Sequence, residues 1–156
     1  MKLRNLKAHF ILDTELNVDC LRKIFRDCNA TFTIHSHHKN VVHVTGVKSN
    51  SHLKMCAEFI KTIFDVKILE EVIDNQFFSH KDRKIVDLNA IYTKISNSDL
   101  YDVVLEPELF PGLTIKHKNR EFPTILLFST GSYTLLGGKM KNIKQTNSFV
   151  KELINS

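Results

Sequence analysis

An internal repeat constrains the fold of this 156-residue chain more than any other sequence feature. Two stretches, about 90 residues apart, each close with a strand pattern, a glycine, a lysine two residues later and a helix pattern. The glycine and lysine are Gly46 and Lys48 in the first stretch, and Gly137 and Lys139 in the second. The shared order predicts a duplicated strand–helix–strands–helix unit. Two such units suit an α+β fold in which helices cover one face of an antiparallel sheet.

Hydrophobic periodicity places the individual elements. Apolar residues alternate with polar and basic ones over 3–12, which predicts a half-buried strand. Val18, Leu21, Ile24 and Phe25 recur at helical spacing and predict a helix at 17–28. The first half continues with strands at 31–34 and 41–45 and a long helix capped by 49–51. The second half reads as a strand at 66–78, a helix at 87–96, strands near 103–105, 113–116, 124–129 and 133–136, and a helix at 142–154. We therefore predict repeats at 1–65 and 66–156.

Composition is that of a folded soluble domain, with 42% hydrophobic and 25% charged residues. These values exclude wholesale disorder, and no apolar run approaches the roughly 18 residues of a membrane span. Residues 1–5 lack the apolar stretch of a secretory signal. The three cysteines form neither an even set nor a close metal-ligand pair, which favours a reducing intracellular compartment.

The charge is basic overall, at +5 with a pI near 9.1, but it is unevenly distributed. Residues 1–65, 66–110 and 111–156 carry net charges of +4, −4 and +5. The basic stretches suggest an anionic partner. The acidic stretch between them is either a face for a basic protein or simply a solvated surface.

The most informative motif is residues 106–113, Glu-Pro-Glu-Leu-Phe-Pro-Gly-Leu, where a proline-braced turn carries two acids and an apolar tip. Downstream follow 125–131, Ile-Leu-Leu-Phe-Ser-Thr-Gly, and 135–139, Leu-Leu-Gly-Gly-Lys. Together these segments resemble the C-terminal half of the TATA-binding protein family, in which residues 106–113 are called the stirrup. The first half resembles the same family more faintly, through 3–6, 26–30 and 44–48.

The resemblance implies a saddle of two repeats, with one curved antiparallel sheet and helices on its convex face. It implies that the concave face binds the minor groove of AT-rich promoter DNA, with phenylalanines wedged between base steps. It also implies partners, namely a TFIIB-like factor and RNA polymerase, and neither an enzymatic activity nor a cofactor. The implied DNA contacts are Asn5, Lys7, Thr45, Lys48, Phe110, Lys116, Lys118, Arg120, Phe128 and Lys139. The implied TFIIB contacts are Glu106, Glu108 and Leu109.

Three departures from the family pattern concern the DNA-reading residues. The first repeat is too short for a full set of strands and a stirrup, so a histidine, His35 or His37, stands nearest one missing wedge. Glu70 or Glu71 aligns with the second groove asparagine, where a carboxylate repels base acceptors and phosphates. Gly137 replaces the groove threonine of the second repeat.

Alternatives to a DNA-binding initiation factor follow from these departures. One is a protein adapter on the same scaffold, and a weaker one is an accessory domain of a nucleic-acid enzyme. The histidines at 35–38 have no Cys or carboxylate at ligand spacing, so a polar hairpin tip is favoured over a zinc site. No nucleophile or phosphate-loop motif supports an enzyme or a small-molecule substrate. The shortened first repeat and Lys/Asn/Ile/Phe-rich composition suit a fast-evolving genome such as a large DNA virus, with action in the nucleus or at a viral transcription site.

Overall fold

A computed structural model of the chain describes residues 1–81 and 83–156, which form strands and helices in an α+β arrangement. The strands pair into one antiparallel sheet in the order β2-β3-β4-β1-β5-β9-β8-β7-β6, which confirms the predicted fold class. The elements are β1 (Lys2–Leu12), β2 (Arg22–Asp27), β3 (Ala30–His35), β4 (Val41–Val47), α1 (Asn50–Phe64), β5 (Ile68–His80), α2 (Leu88–Ile95), β6 (Tyr101–Val104), β7 (Leu113–His117), β8 (Thr124–Leu127), β9 (Tyr133–Leu136) and α3 (Met140–Asn155).

The chain divides into two compact units. Residues 3–76 form one, and residues 1–2 with 77–156 form the other. Strand β5 contributes to both, because its residues 68–76 pack with the 3–76 unit and its last residues with the 77–156 unit. The compact units therefore divide the chain at a different point from the two sequence repeats.

In the 3–76 unit, helix α1 covers one face of the strands. Alternation along β1 buries Leu6, Ala8, Phe10 and Leu12, and the buried stripe of α1 joins them in a single core. Burial of each large apolar side chain in this core contributes about 1.5–3 kcal/mol to the free energy of folding. The helix begins at the predicted cap, where the Ser49 hydroxyl oxygen accepts the His52 backbone N–H at 3.0 Å. The opposite face of these strands carries the alternate residues, and we call it the open face of the unit.

The helix predicted at 17–28 is wrong, because strand β2 occupies 22–27. Phe25 stacks on Phe32 of β3 with ring centroids 5.1 Å apart, so cross-strand packing outweighs the helical spacing. Cys28 and Asn29 both have positive φ and close a two-residue hairpin between Asp27 and Ala30.

In the 77–156 unit, helices α2 and α3 bury apolar stripes against the strands. Helix α2 starts at Asp87, whose carboxylate accepts the backbone N–H groups of Asn89 and Ala90. Helix α3 buries Ile143, Val150 and Leu153, and its Asn147 accepts a hydrogen bond from the hydroxyl of Tyr133 on β9. This unit keeps the predicted order of strand, helix, strands and helix.

The first repeat lacks part of what the second contains. Residues 3–76, all of which the structure describes, hold no counterpart of α2, β6 or the stirrup. The neighbours β4-β3-β2 beside β1 correspond to β9-β8-β7 beside β5. The predicted shortening therefore corresponds to the absence of a helix, a strand and the stirrup that follows them. Among the described residues, no helix has the length and apolar character that a membrane crossing requires.

Candidate nucleic-acid interface

The open face of the 3–76 unit is polar and basic. On β1 it presents Asn5, Lys7 and His9, which alternate with buried residues. Strand β2 adds Arg22, Ile24 and Arg26, which pair directly with His35, Thr33 and Thr31 of β3. The remaining positions on β3 and β4 are threonine, valine and histidine. Such a surface can place cations beside phosphates and donors beside base acceptors.

Four of the predicted DNA contacts lie in this unit. Asn5 and Lys7 are exposed on β1, and Thr45 is half-buried near the end of β4. Gly46 follows Thr45 with φ of +80°, at an irregularity in the pairing between β1 and β4. Lys48 is exposed directly before the α1 cap, and its backbone N–H donates to His52 Nδ1 at 3.0 Å. The structure thus leaves the Asn5, Lys7 and Lys48 side chains accessible.

Histidines of three strands gather on this open face. His9 and His43 are direct partners in the β1–β4 register, with ring centroids 5.5 Å apart. His35 meets His43 edge-on at 5.7 Å. Burial, followed by the nearby His9, lowers the pKa of His43. Asp74 accepts the His9 Nδ1–H at 2.8 Å. Spacing alone does not reveal this grouping, since its members are far apart in the chain.

The open face of the 77–156 unit is largely uncharged. Its strand positions are Phe77, Val104, Thr114, Thr124, Leu126, Thr134 and Leu136, with one acid and one base. The base is Lys116 on β7, a predicted DNA contact, and it pairs directly with Asp102 of β6. Apolar and threonine side chains can lie against base edges and sugars without paying to desolvate a charge.

Phe110 and Phe128 meet at the edge of this face. Their rings are edge-to-face, with centroids 5.7 Å apart and planes at 63°. Both side chains remain half-buried, so part of each ring faces solvent. Gly112 lies beneath them, because a Cβ there would come within 2.7 Å of the Phe110 ring and 3.1 Å of the Phe128 ring. The structure therefore brings the two predicted wedges together as one aromatic pair.

The predicted partner residues form the tip of the stirrup. The Glu106 carbonyl accepts the backbone N–H groups of Leu109 and Phe110, both at 2.9 Å, and this closes the turn. Glu106 and Glu108 are exposed, and Leu109 is 82% exposed. An exposed apolar side chain close in the chain to two carboxylates suits a partner surface with a pocket and basic residues around it.

The other predicted basic contacts differ in whether an acidic residue pairs with them. Lys118 and Arg120 are exposed in the loop after β7. Lys139, directly before α3, is paired with Glu121, which also contacts Lys141 at 3.1 Å. Hydrogen bonds from Lys139 and Lys141, with their positive charges, lower the pKa of Glu121. This carboxylate partly neutralises the lysine predicted to contact the DNA backbone.

Comparison with known proteins decides the family. The family model described as "Transcription factor TFIID (or TATA-binding protein, TBP)" matches residues 71–155, more than half of the chain. The chain belongs to the TATA-binding protein family. The solved structure of Methanococcus jannaschii TBP is similar with a TM-score of 0.74, covering 99% of this chain and 97% of the archaeal one at 16% identity. At that identity the likeness shows the TBP fold. None of the curated proteins matches the sequence.

The strand register of the two repeats points to a different residue for the expected second asparagine. Gly46 and Gly137 both have positive φ and end equivalent strands, which aligns Val44 with Leu135. Val44 pairs with Ala8, and Leu135 pairs with Phe78. Counting back three residues from Ala8 and from Phe78 gives Asn5 and Asn75, each exposed and each followed by a buried residue. The register therefore favours Asn75 over Glu70 or Glu71 at this position.

The same register corrects two further positions. Leu136, one residue before Gly137, corresponds to Thr45, so Leu136 and not Gly137 replaces the groove threonine. Phe32 pairs with Val44, and Ile125 pairs with Leu135. Phe32 thus corresponds to Ile125, which places His35 at the position of Phe128. Of the two histidines considered, His35 stands where the first repeat lacks a wedge.

Proposed function

We propose that this TBP-like transcription factor initiates transcription by binding the minor groove of AT-rich promoter DNA and recruiting a TFIIB-like factor and RNA polymerase. Its proposed place of action is the nucleus or a viral transcription site. The observation that carries the proposal is the aromatic pair of Phe110 and Phe128, half exposed above Gly112 at the edge of a largely uncharged sheet face. Without a binding partner, a half-exposed aromatic pair on a solvated face only lowers solubility.

Wedging explains how this pair acts on DNA. Apolar side chains inserted between base steps cost a few kcal/mol of stacking per step, and the kinked duplex then contacts more protein surface. AT-rich steps suit this exchange, because pyrimidine–purine steps such as TA unstack easily. A·T pairs also have no amino group in the minor groove, so Leu126 and Thr134 can contact the base edges there without a steric clash.

The 3–76 unit contributes charge and hydrogen bonds in this proposal. Asn5 and Asn75 donate to the base acceptors of the minor groove floor. Lys7, Lys48 and the arginines of β2 neutralise phosphates. Because His35 stands where this unit lacks a wedge, the main kink belongs to the 77–156 unit.

The stirrup is the proposed docking point for the TFIIB-like factor. Leu109 enters an apolar pocket of that factor, while Glu106 and Glu108 pair with basic residues around the pocket. Glu108→Arg reverses the charge at the tip and should abolish the complex. The same substitution should leave DNA affinity within about threefold, because residue 108 lies outside the proposed DNA contacts.

Fluorescence anisotropy with labelled AT-rich duplexes tests the DNA-binding half of the proposal. We expect Phe110→Ala and Phe128→Ala each to weaken binding at least tenfold, or about 1.4 kcal/mol. Leu109→Ala is the matched control, since it removes the exposed apolar side chain directly before Phe110 and leaves both rings in place. If affinity is absent, or ignores both phenylalanines, the wedge proposal fails.

A protein adapter with little DNA binding of its own is the second candidate. It is favoured by the charge pairing on the 77–156 unit, where Glu121 holds Lys139 and Asp102 opposes Lys116. The adapter predicts that the chain pulls down a TFIIB-like factor through Glu108 but shows no saturable DNA binding in the anisotropy titration.

A further inference from the structure

Three potential metal ligands from three strands converge on the open face of the 3–76 unit. They are His9 on β1, His43 on β4 and Asp74 on β5, and their donor atoms all lie within 4.8 Å of one another. Strand pairing fixes the two histidines, because they are direct partners in the β1–β4 register. Asp74 is held to His9 Nδ1 by both carboxylate oxygens, at 2.8 and 2.9 Å. The ligands are thus gathered before any ion binds.

We propose that His9, His43 and Asp74 bind one divalent transition-metal ion of the zinc class. Two imidazole nitrogens and one carboxylate oxygen form a donor set typical of Zn²⁺, whereas Ca²⁺ and Mg²⁺ select oxygen ligands. Three protein ligands leave a fourth position for water or another group. The metal takes the place of the Nδ1 proton that His9 now directs at Asp74, since ligands bind in their deprotonated forms.

The site uses histidines that sequence spacing does not group. The sequence suggested a possible zinc site only at residues 35–38, which are consecutive and lie mostly at a hairpin tip. Only His35 of that segment approaches the cluster, through its edge-on contact with His43. The proposed ligands come instead from paired strands, and such rigid elements hold metal ligands more precisely than a loop.

A bound ion would change the open face in two ways. It adds two positive charges close to Lys7. Asp74 is the only one of the three ligands whose negative charge offsets them. It also links β4, β1 and β5, so it stabilises the folded unit by binding the native state selectively. The proposal goes beyond DNA binding and can hold or fail independently of it.

Titration with Co²⁺ and Zn²⁺ tests the site on the full chain without a polyhistidine tag. We expect one Co²⁺ per chain with visible d–d absorption, displaced by Zn²⁺, and a rise in melting temperature with Zn²⁺. Each ligand substitution, His43→Gln or Asp74→Asn, should weaken Zn²⁺ binding at least tenfold in isothermal titration calorimetry. Mutation of residues that merely support metal ligands already lowers metal affinity by about 10–100-fold. His38→Gln, at an exposed hairpin position, should bind as the wild type does.

Circular dichroism of each variant establishes that it is folded, and Asp74→Asn preserves the shape of the side chain if the histidine variant does not fold. Binding that is absent from the wild type, or that survives both ligand substitutions, overturns the proposal. The cluster is then a His–Asp ion pair beside packed imidazoles. Because no DNA enters this experiment, its failure leaves the proposed function untouched.

Discussion

Phe110 and Phe128 come from segments 18 residues apart, yet their rings meet edge-to-face at 5.7 Å. Phe110 follows the turn that the Glu106 carbonyl closes, and Phe128 follows the last residue of β8. The contact spans the stirrup and the sheet of the 77–156 unit. Two rings that support each other keep a defined orientation at lower entropic cost than two isolated side chains, which suits insertion into stacked bases.

Gly112→Ala should disturb this pair without unfolding the chain. The new Cβ would lie 2.7 Å from the edge of the Phe110 ring, and this half-exposed ring can turn away. We expect the free energy of unfolding to fall by about 1 kcal/mol or slightly more. DNA affinity should fall about tenfold, measured by anisotropy. A Phe110→Ala background removes the closest of the methyl's contacts, so a double-mutant cycle should show the effect shrinking. Equal effects in both backgrounds would contradict this geometry.

Asn75→Ala should weaken DNA binding as much as Asn5→Ala. Both residues occupy equivalent positions of their repeats, and each lost contact to a base pair costs about 1–3 kcal/mol. Competition anisotropy against AT-rich duplexes measures the two losses. Asn17→Ala, at an exposed position between β1 and β2, is the control and should change nothing. A large effect of Asn5→Ala with none of Asn75→Ala would show that the register equivalence does not extend to function.

Much of the fold could be predicted from the sequence, because many elements bury one regular face. Alternation in β1, the Ser49 cap of α1 and the order of the second repeat were all predicted. Strand β2 was not, since Ile24 and Phe25 fit a helix until Phe32 and the Cys28-Asn29 turn are in place. The candidate wedges and stirrup followed from the motif.

The rest of the site depends on strand pairing. Asn75 could be identified only from the β5–β9 register, because β5 contains no glycine or proline to anchor an alignment. His9, His43 and Asp74 are separated by 34 and 31 residues, and only the order of β4, β1 and β5 brings them together.

Glu121→Gln should strengthen DNA binding. The carboxylate pairs with Lys139 and Lys141, and removing its charge leaves both lysines to neutralise phosphates. Each added phosphate contact steepens the log–log salt dependence by about 0.9, so we expect a change of roughly 1–2 in the slope. Glu152→Gln, which removes an exposed acid from α3, serves as control. An unchanged slope would mean that Lys139 and Lys141 do not approach the DNA.

Glu121 also predicts a pH dependence of stability. Its pKa is lower in the folded chain because of hydrogen bonds and charge from Lys139 and Lys141. Its contribution is therefore present above the ordinary carboxyl pKa and is lost as pH falls through the folded value. Urea midpoints of wild type and Glu121→Gln should differ at neutral pH and converge as the pH falls through the folded pKa of Glu121. A gap that persists in acid would contradict an ionic origin.

Thiol reactivity reports on the core of the 3–76 unit. Burial raises the pKa of the Cys56 thiol to about 11, and its side chain is buried on the core-facing side of α1. A thiol reagent at neutral pH should modify exposed Cys20 quickly and leave Cys56 unmodified until the unit unfolds. Mass spectrometry of partially labelled chains identifies the modified residues. Early labelling of Cys56 would show that α1 opens locally.

Substitution of inosine for guanine tests the central claim most directly. An I·C pair keeps the major-groove face of G·C but lacks the amino group in the minor groove, so its minor groove resembles that of A·T. Affinities for duplexes of the same length with an A·T, I·C or G·C core are measured by anisotropy. Minor-groove binding predicts that the I·C duplex binds within about threefold of A·T, and at least tenfold more tightly than G·C. An I·C duplex that binds as weakly as G·C would contradict it.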